Sequence, residues 1–207
     1  MSRKKNTSTL NITQNKTWNS SWCIYSQEEF KYLLQEDLIL YSYIRSQFKN
    51  FELLNIINLR LYRINNYLII DIVITFIDSL TRNLITEFLN SLSQFFNKNI
   101  YLAINKPSYL ITIRNGFNIA LKIAKLIEKR VRFRSRIIKA LIKKVKDNSK
   151  GIYVQCTGRI NNVDMARVDK LYLGSVPLQS IKSSIDYGFV VANTTKGLQS
   201  IKVWICK

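Results

Sequence analysis

Between Arg130 and Lys146 the chain reads RVRFRSRIIKALIKKVK, eight cationic side chains with no acid among them. Arg130, Arg132, Arg134 and Arg136 recur at every second position, and Lys139, Lys143 and Lys146 follow at spacings near a helical turn, with Lys144 beside Lys143. The chemistry open to such groups is recognition of phosphate. A guanidinium engages a phosphate through a planar fork of donors, and an ammonium adds a compact point charge. Other chemistries fall away. The chain has no histidine, which excludes Ser-His-Asp and Cys-His catalysis and histidine-ligated metals. Cys23, Cys156 and Cys206 lie far apart with no C-x-x-C spacing, and they are expected as reduced thiols in a reducing compartment. All six glycines lie at or beyond Gly116, so no glycine-rich phosphate loop exists in the first 115 residues. Neither a cofactor nor an enzymatic reaction is implied.

The charge is local. The whole chain of 207 residues carries a formal +19, and residues 116–150 hold 12 Lys/Arg against 2 Asp/Glu, more than half of that excess. So large an imbalance repels itself in the compact state unless an anion neutralises it. With 47% hydrophobic residues the chain can also bury a core, enough for one or two domains. The N-terminus, MSRKKNTSTLNITQNK, is polar and is expected to carry no apolar signal region. The longest mainly apolar run, Tyr67–Leu80, is short and contains Asp71 and Asp78, so no membrane insertion is expected.

The elements that must position the cations follow from periodicity. Residues 1–17 are expected to form a basic arm that orders on a polyanion. A helix is predicted over 27–49, with Glu28 and Glu29 in its first turn and one break, Asp37, in its apolar spacing. Strands are predicted at Ile56–Ile64 and Tyr67–Phe76, joined through Asn65-Asn66, then a helix over Thr81–Phe96 and a strand at Ile100–Asn105. From Phe117 to Asp147 the pattern is helical with a break near Ser135. At about 100° per residue, Ala124, Ile127, Val131, Ile138, Ile142 and Val145 fall on one side. Lys125, Lys129, Arg132, Arg136, Lys139, Lys143 and Lys146 fall on the other. Beyond Lys150 the period changes to two, at Ile152, Val154 and Cys156 and at Ile201, Val203 and Ile205, which reads as strands with one buried face. Val163–Leu173 reads as a short helix or an irregular excursion. A basic helix on a mainly antiparallel sheet gives an α+β fold.

Three partners compete for the cationic ridge. A merely solvated face mixes signs, because like charges one turn apart repel. A membrane-surface helix needs its apolar side open to lipid, whereas this one carries β-branched and small residues suited to packing on the sheet downstream. A nucleic-acid backbone fits the arginine-rich ridge best, and it predicts positioning on phosphates rather than reading of bases.

The C-terminal stretch is more specific. Gly158-Arg159, Ala166-Arg167, Gly174, Val176-Pro177-Leu178, Ile185-Asp186-Tyr187, Thr194-Thr195, Gly197 and Lys202-Val203-Trp204-Ile205 occur in an order and spacing that closely resemble the family of the third universal protein of the small ribosomal subunit. Glu128-Lys129-Arg130-Val131-Arg132-Phe133-Arg134 is similar to that family's arginine-rich helix, Trp18-Asn19-Ser20-Ser21-Trp22 to its N-terminal tryptophan motif, and Leu33–Leu38 to its mitochondrial members.

The resemblance implies an N-terminal KH-like domain of type II over residues 18–113 and a C-terminal α+β domain over 114–207. It implies a place in the subunit head, on small-subunit ribosomal RNA, beside neighbouring head proteins and at the mRNA entrance. Arg130, Arg132, Arg134, Arg136, Lys139 and Lys143 are the residues expected at that entrance. Arg3, Lys4, Lys5, Lys16, Trp22, Arg159, Arg167, Lys182 and Lys202 are expected on ribosomal RNA. Isoleucine and asparagine are abundant, a bias that suits an AT-rich organellar genome; the expected compartment is the mitochondrion, with the plastid as the alternative. An RNA-binding module acting outside the ribosome is the alternative function. Two departures stand out. The G-x-x-G loop by which KH domains grip single strands is missing from Phe76–Thr81, so the fold is expected without its usual groove. Ser135 and Ile138 stand where bacterial relatives tend to carry cations, and Lys170, Leu171 and Ser175 also depart from the family's pattern.

Overall fold

The computed structural model describes residues 18–24, 26–49, 56–64, 67–74, 86, 90–94, 99–105, 107–180 and 182–207. They divide into two compact units, one of Trp18–Ser108 and one carrying Tyr109–Lys207. The basic arm, the Asn65-Asn66 turn and the Phe76–Thr81 interval lie outside the described residues.

In the first unit, helix α1 spans Gln27–Lys49 with Glu28 and Glu29 in its first turn. The Ser26 hydroxyl accepts the Glu29 amide proton at 3.3 Å, which caps it. Strands β1 (Ser20–Ser21), β2 (Ile56–Ile64), β3 (Tyr67–Ile74) and β4 (Asn99–Asn105) lie in that order in one sheet. The β2–β3 pair is antiparallel, and β1–β2 and β3–β4 are parallel. Thr86 and residues 90–94 are helical, within the span predicted for the second helix. Alternation along the strands sends Leu59, Leu61, Leu68, Ile70 and Ile72 to one face, where they meet Leu40 and Ile44 of α1 and Leu92.

The break at Asp37 has a cause. Asp37 and Glu36 are buried on α1, and Arg63 of β2 donates to both carboxylates. Burial alone would lower the Arg63 pKa, but the hydrogen bonds to Asp37 and Glu36 reverse that and hold it above its ordinary value. Trp22 donates its indole N–H to the other Asp37 oxygen at 2.8 Å, and its ring meets Phe30 edge-on. One buried acid thus ties the tryptophan segment, the helix and the sheet together.

In the second unit, α2 (Tyr109–Ile113), α3 (Gly116–Glu128) and α4 (Arg136–Asp147) precede strands β5 (Gly151–Gly158), β6 (Arg167–Gly174), β7 (Ile185–Thr194) and β8 (Gly197–Cys206). The sheet order is β6-β5-β8-β7, antiparallel throughout. Ile123, Ala124 and Ile127 of α3 and Ile138, Ile142 and Val145 of α4 pack with Ile152, Val154, Ile201, Val203 and Ile205 of the central strands in one core. This is the α+β arrangement expected from the change of period. A smaller cluster of Tyr153, Ile185, Trp204 and Cys206, with Val176 and Leu178 against it, forms on the opposite face.

The stretch Val163–Leu173 is neither a helix nor an excursion over most of its length. It becomes β6, paired with β5 from Gly158↔Arg167 to Gly151↔Gly174. As an edge strand it exposes Val168, Lys170, Tyr172 and Leu173, so the period-two burial signal was absent.

Two glycines set how closely α3 approaches the sheet. A Cβ on Gly188 would lie 2.2 Å from the carbonyl carbon of Gly116, and one on Gly116 would lie 2.9 Å from the Gly188 nitrogen. The Asp186 carboxylate accepts the Gly116 amide proton at 3.0 Å and fixes the same corner. Replacing Gly188 by alanine should cost about 1–3 kcal/mol by forcing backbone apart. Gly197→Ala, which meets nothing within 4 Å at φ +121°, should be limited to the conformational cost of about 1–2 kcal/mol. Thermal unfolding of the two variants compares them. In the first unit, Arg63→Met leaves two buried carboxylates without their cation and should cost about 3 kcal/mol in denaturant unfolding.

Candidate nucleic-acid interface

Helix α3 ends where the arginines begin. The Arg130 amide donates to the Ile127 carbonyl at 2.8 Å and the Val131 amide to the Leu126 carbonyl at 3.0 Å. That pair of bonds is a Schellman closure, and it puts Arg130 in the left-handed region at φ 63°, a position glycine normally fills. Leu126 and Val131 are both partly buried against the core, the hydrophobic pairing that often accompanies the motif. Residues 129–135 are therefore a turn between two helices, not part of a continuous basic helix. The correction has a physical source. From Val131 to Arg136 side chains alternate inward and outward, and Phe133 is buried to 2% exposure between exposed Arg132 and Arg134.

Ser135 then starts α4. Its hydroxyl accepts the Ile138 amide proton at 3.5 Å, so Ser135 serves as the capping group of the helix. Ile138 is fully buried in the core. With Ile138, Ile142 and Val145 turned inward, Arg136, Lys139, Lys143 and Lys146 are all exposed. The six residues expected at the mRNA entrance thus lie on one continuous turn-and-helix segment. Lys125 and Lys129, on the last turn of α3 and its cap, and Lys144 and Lys146 on α4 extend the exposed cations around it. Lys144 sits over the Tyr109 ring at 5.3 Å. The α2 end is tied to the α4 end by Arg114, which donates to the Asn148 carbonyl at 2.6 Å.

Acids do little to neutralise this surface. Glu128 accepts the Asn193 amide proton at 3.1 Å. Asp169 of β6 pairs with Arg134 at 3.2 Å, though the Arg134 side chain remains 64% exposed. Among the described residues, Arg130, Arg132, Arg136, Lys139, Lys143 and Lys146 form no ion pair. No group of three His, Cys, Asp or Glu side chains among the described residues could hold a metal ion, and no described helix is long and apolar enough to cross a membrane.

The other expected RNA contacts are dispersed. Arg159 is occupied within the fold: it donates to the carbonyls of Val163 and Lys196 and to the Asp164 carboxylate, locking the β5–β6 connection to the β7–β8 turn. Arg167 is exposed at the start of β6 and Lys182 in the β6–β7 loop. Lys202 is half-buried on the sheet face opposite the helices, over the Phe189 ring at 6.0 Å. Trp22 belongs to the first unit, with its N–H on Asp37. Arg3, Lys4, Lys5 and Lys16 lie outside the described residues. Burial drives the Cys156 thiol up to about 12, with Asp169 adding to it, while Cys23 is exposed; none of the three cysteines is in a disulfide.

Residues 123–205, from the middle of α3 to the end of β8, match the family Ribosomal protein S3, C-terminal domain. Along the whole chain, the small ribosomal subunit protein uS3 of Clostridioides difficile is 31% identical over 209 residues, covering all of this chain and 75% of the relative. The uS3 protein of Geotalea daltonii is 31% identical, covering 93% of this chain and 90% of the relative. That of Phytoplasma australiense is 33% identical, covering 99% and 82%. The chain belongs to the uS3 family. In this uS3 family member the matched region contains the whole of the turn and α4, so the cationic segment is part of the shared domain rather than an appendage.

The strained arginine separates stability from charge. Arg130→Gly relieves the left-handed residue, so stability should stay level or rise by up to about 1 kcal/mol in denaturant unfolding. Affinity for RNA, measured by filter binding of the same protein, should fall.

Proposed function

We propose that this chain is a structural, non-enzymatic component of the head of a small ribosomal subunit, where it neutralises and fixes ribosomal RNA and lines the mRNA entrance with cations. The observation that carries the reading is the 129–146 surface. It is a turn and a helix whose apolar side is consumed by the core and whose outer side presents arginine and lysine with almost no acid. Membership of the uS3 family supports the ribosomal setting. Arg130, Arg132, Arg134, Arg136, Lys139 and Lys143 are assigned to the entrance, with Arg167, Lys182 and Lys202 on ribosomal RNA, together with Arg3, Lys4, Lys5 and Lys16. Arg159 and Trp22 reach RNA in this reading only beyond the internal bonds they already make.

The N-terminal domain is read as KH-like, type II, kept for packing without a G-x-x-G grip. Its order of helix, two antiparallel strands, helical segment and a parallel strand supports this, as does the absence of glycine before Gly116. The partners are small-subunit ribosomal RNA, mRNA and neighbouring head proteins. The compartment we favour is the mitochondrion, on composition and on Leu33–Leu38, with the plastid as the alternative.

Phosphate binding of this kind is salt-dependent: about six contacts lose roughly a thousandfold in affinity between low and moderate salt. The deciding variant reverses three exposed charges, Arg132→Glu, Lys139→Glu and Lys143→Glu. Subunits carrying it should assemble and sediment normally yet load mRNA at least tenfold less well. Failure of assembly before loading would make the ridge an RNA anchor instead. Sedimentation of the wild-type chain away from the small subunit even in low salt would leave the extra-ribosomal RNA-binding reading in its place.

A further inference from the structure

We infer that the helix-free face of the C-terminal sheet is a stacking platform for single-stranded RNA, distinct from the cationic ridge. The inference rests on the reading that the chain's partner is RNA, and it assigns a second mode of contact.

Strand register places Lys170, Gln155, Lys202 and Phe189 in one row across β6, β5, β8 and β7. All four point away from α3 and α4, because their neighbours Val154, Val203 and Ile201 form the buried core on the other side. Phe189 keeps 46% of its surface exposed, with the Lys202 ammonium 6.0 Å from its ring centre. In the next row toward the turn, Thr157 and Ser200 share a hydrogen bond at 2.9 Å between Val168 and Val191. The row on the other side is covered at its centre, where Val176 and Leu178 pack against the Trp204 and Tyr153 cluster, and Tyr172 at its β6 end stays exposed. Neither open row contains an acid. Asp169, next to Lys170, is turned to the helix side and pairs with Arg134.

The middle of this face chooses the partner. Its two central strands present Gln155, Lys202, Thr157 and Ser200, whereas the centre of a protein–protein interface is depleted in lysine and serine and is more apolar. A polyanion without rings would make no use of Phe189. Single-stranded RNA uses every group there: a base stacks on the ring, amide and hydroxyl groups meet base edges or sugars, and lysines take phosphates. A four-stranded antiparallel sheet backed by helices on one side leaves the other side open for this.

The test uses the purified full-length chain and two fluorescent probes, a short oligouridylate and a perfectly paired RNA duplex. Phe189→Ala should weaken oligouridylate binding about fivefold or more, the lower end of what one stacked base contributes, and leave duplex binding unchanged. Phe189→Trp should retain affinity, and Lys202→Gln should weaken the oligonucleotide selectively. Phe189 is exposed, so these variants should fold, which thermal unfolding checks. The Arg132→Glu, Lys139→Glu double variant should weaken both probes. Wild-type affinity for oligouridylate in both Phe189→Ala and Lys202→Gln would overturn the platform while leaving the ridge intact. With fluorescent polyglutamate as a third, control probe, an equal loss of its binding in Phe189→Ala would overturn the platform in favour of an acidic protein partner. No binding of either RNA by the wild-type chain would sink the RNA reading itself, and this inference with it.

Discussion

Helices α3 and α4 must bury Ile123, Ala124 and Ile127, and Ile138, Ile142 and Val145, against one face of the β5–β8 pair. Each isoleucine or valine among them removed from water contributes about 1.5–3 kcal/mol, more than a single exposed ion pair. This packing is the constraint on which the unit depends. It fixes the rotation of both helices, and once the rotation is fixed every intervening cation has only the solvent side left. Phe133 does the same for the turn: with its ring in the core, Arg132 and Arg134 on either side of it can only point out. The contact between Gly116 and Gly188 sets the depth at which α3 docks, so the cationic surface stands on a backbone contact that no side chain could replace.

The arrangement is costly to the isolated chain. Lys139 and Lys143 are one helical turn apart, as are Arg136 and Lys139 by three residues, and such like-charge neighbours repel by a few tenths of a kcal/mol each. Arg130 adds conformational strain that glycine would avoid. Glu128 is engaged by a backbone amide and Asp169 by Arg134, which leaves Asp147 at the end of α4 as the acid beside the lysines. A surface that accumulates small penalties of the same sign is best explained by an anion that removes them on binding, and a polyphosphate backbone is the anion whose geometry suits arginine.

The N-terminal unit solves a different problem. Arg63, Glu36 and Asp37 sit beneath the sheet as a buried ionic cluster, and Trp22 completes the hydrogen bonding of Asp37. An isolated acid in an apolar helix stripe looks like an error in amphipathicity; with its partner on β2 it becomes the point at which the tryptophan segment is held. In the C-terminal unit Trp204 is likewise held inside the fold, enclosed with Tyr153, Tyr187, Val176 and Leu178 on the helix-free face of the sheet.

Local patterns were enough for much of this. The helix at 27–49, the strands of both sheets with strong alternation, the inward and outward sides of α4, and the family itself were legible because each is encoded in side-chain period or in ordered motifs within one stretch of chain. The alternation Val131-Arg132-Phe133-Arg134 was a visible sign that the helix stops, but its period of two competes with the helical pattern on either side, and only the Schellman closure and the burial of Phe133 decide between them. The β6 edge strand was hidden because half its pairing and most of its burial are absent, so its identity comes from the hydrogen bonds of β5. The bond from Arg159 to the Lys196 carbonyl and the pairing of Asp37 with Arg63 join residues 37 and 26 positions apart, and Lys170, Gln155, Lys202 and Phe189 meet in one row from four different strands. Sequence determined which residues carry charge and which face inward along the strongly periodic elements. Tertiary structure alone decided which of those charges are left for a partner, because that depends on contacts between elements that no local period encodes.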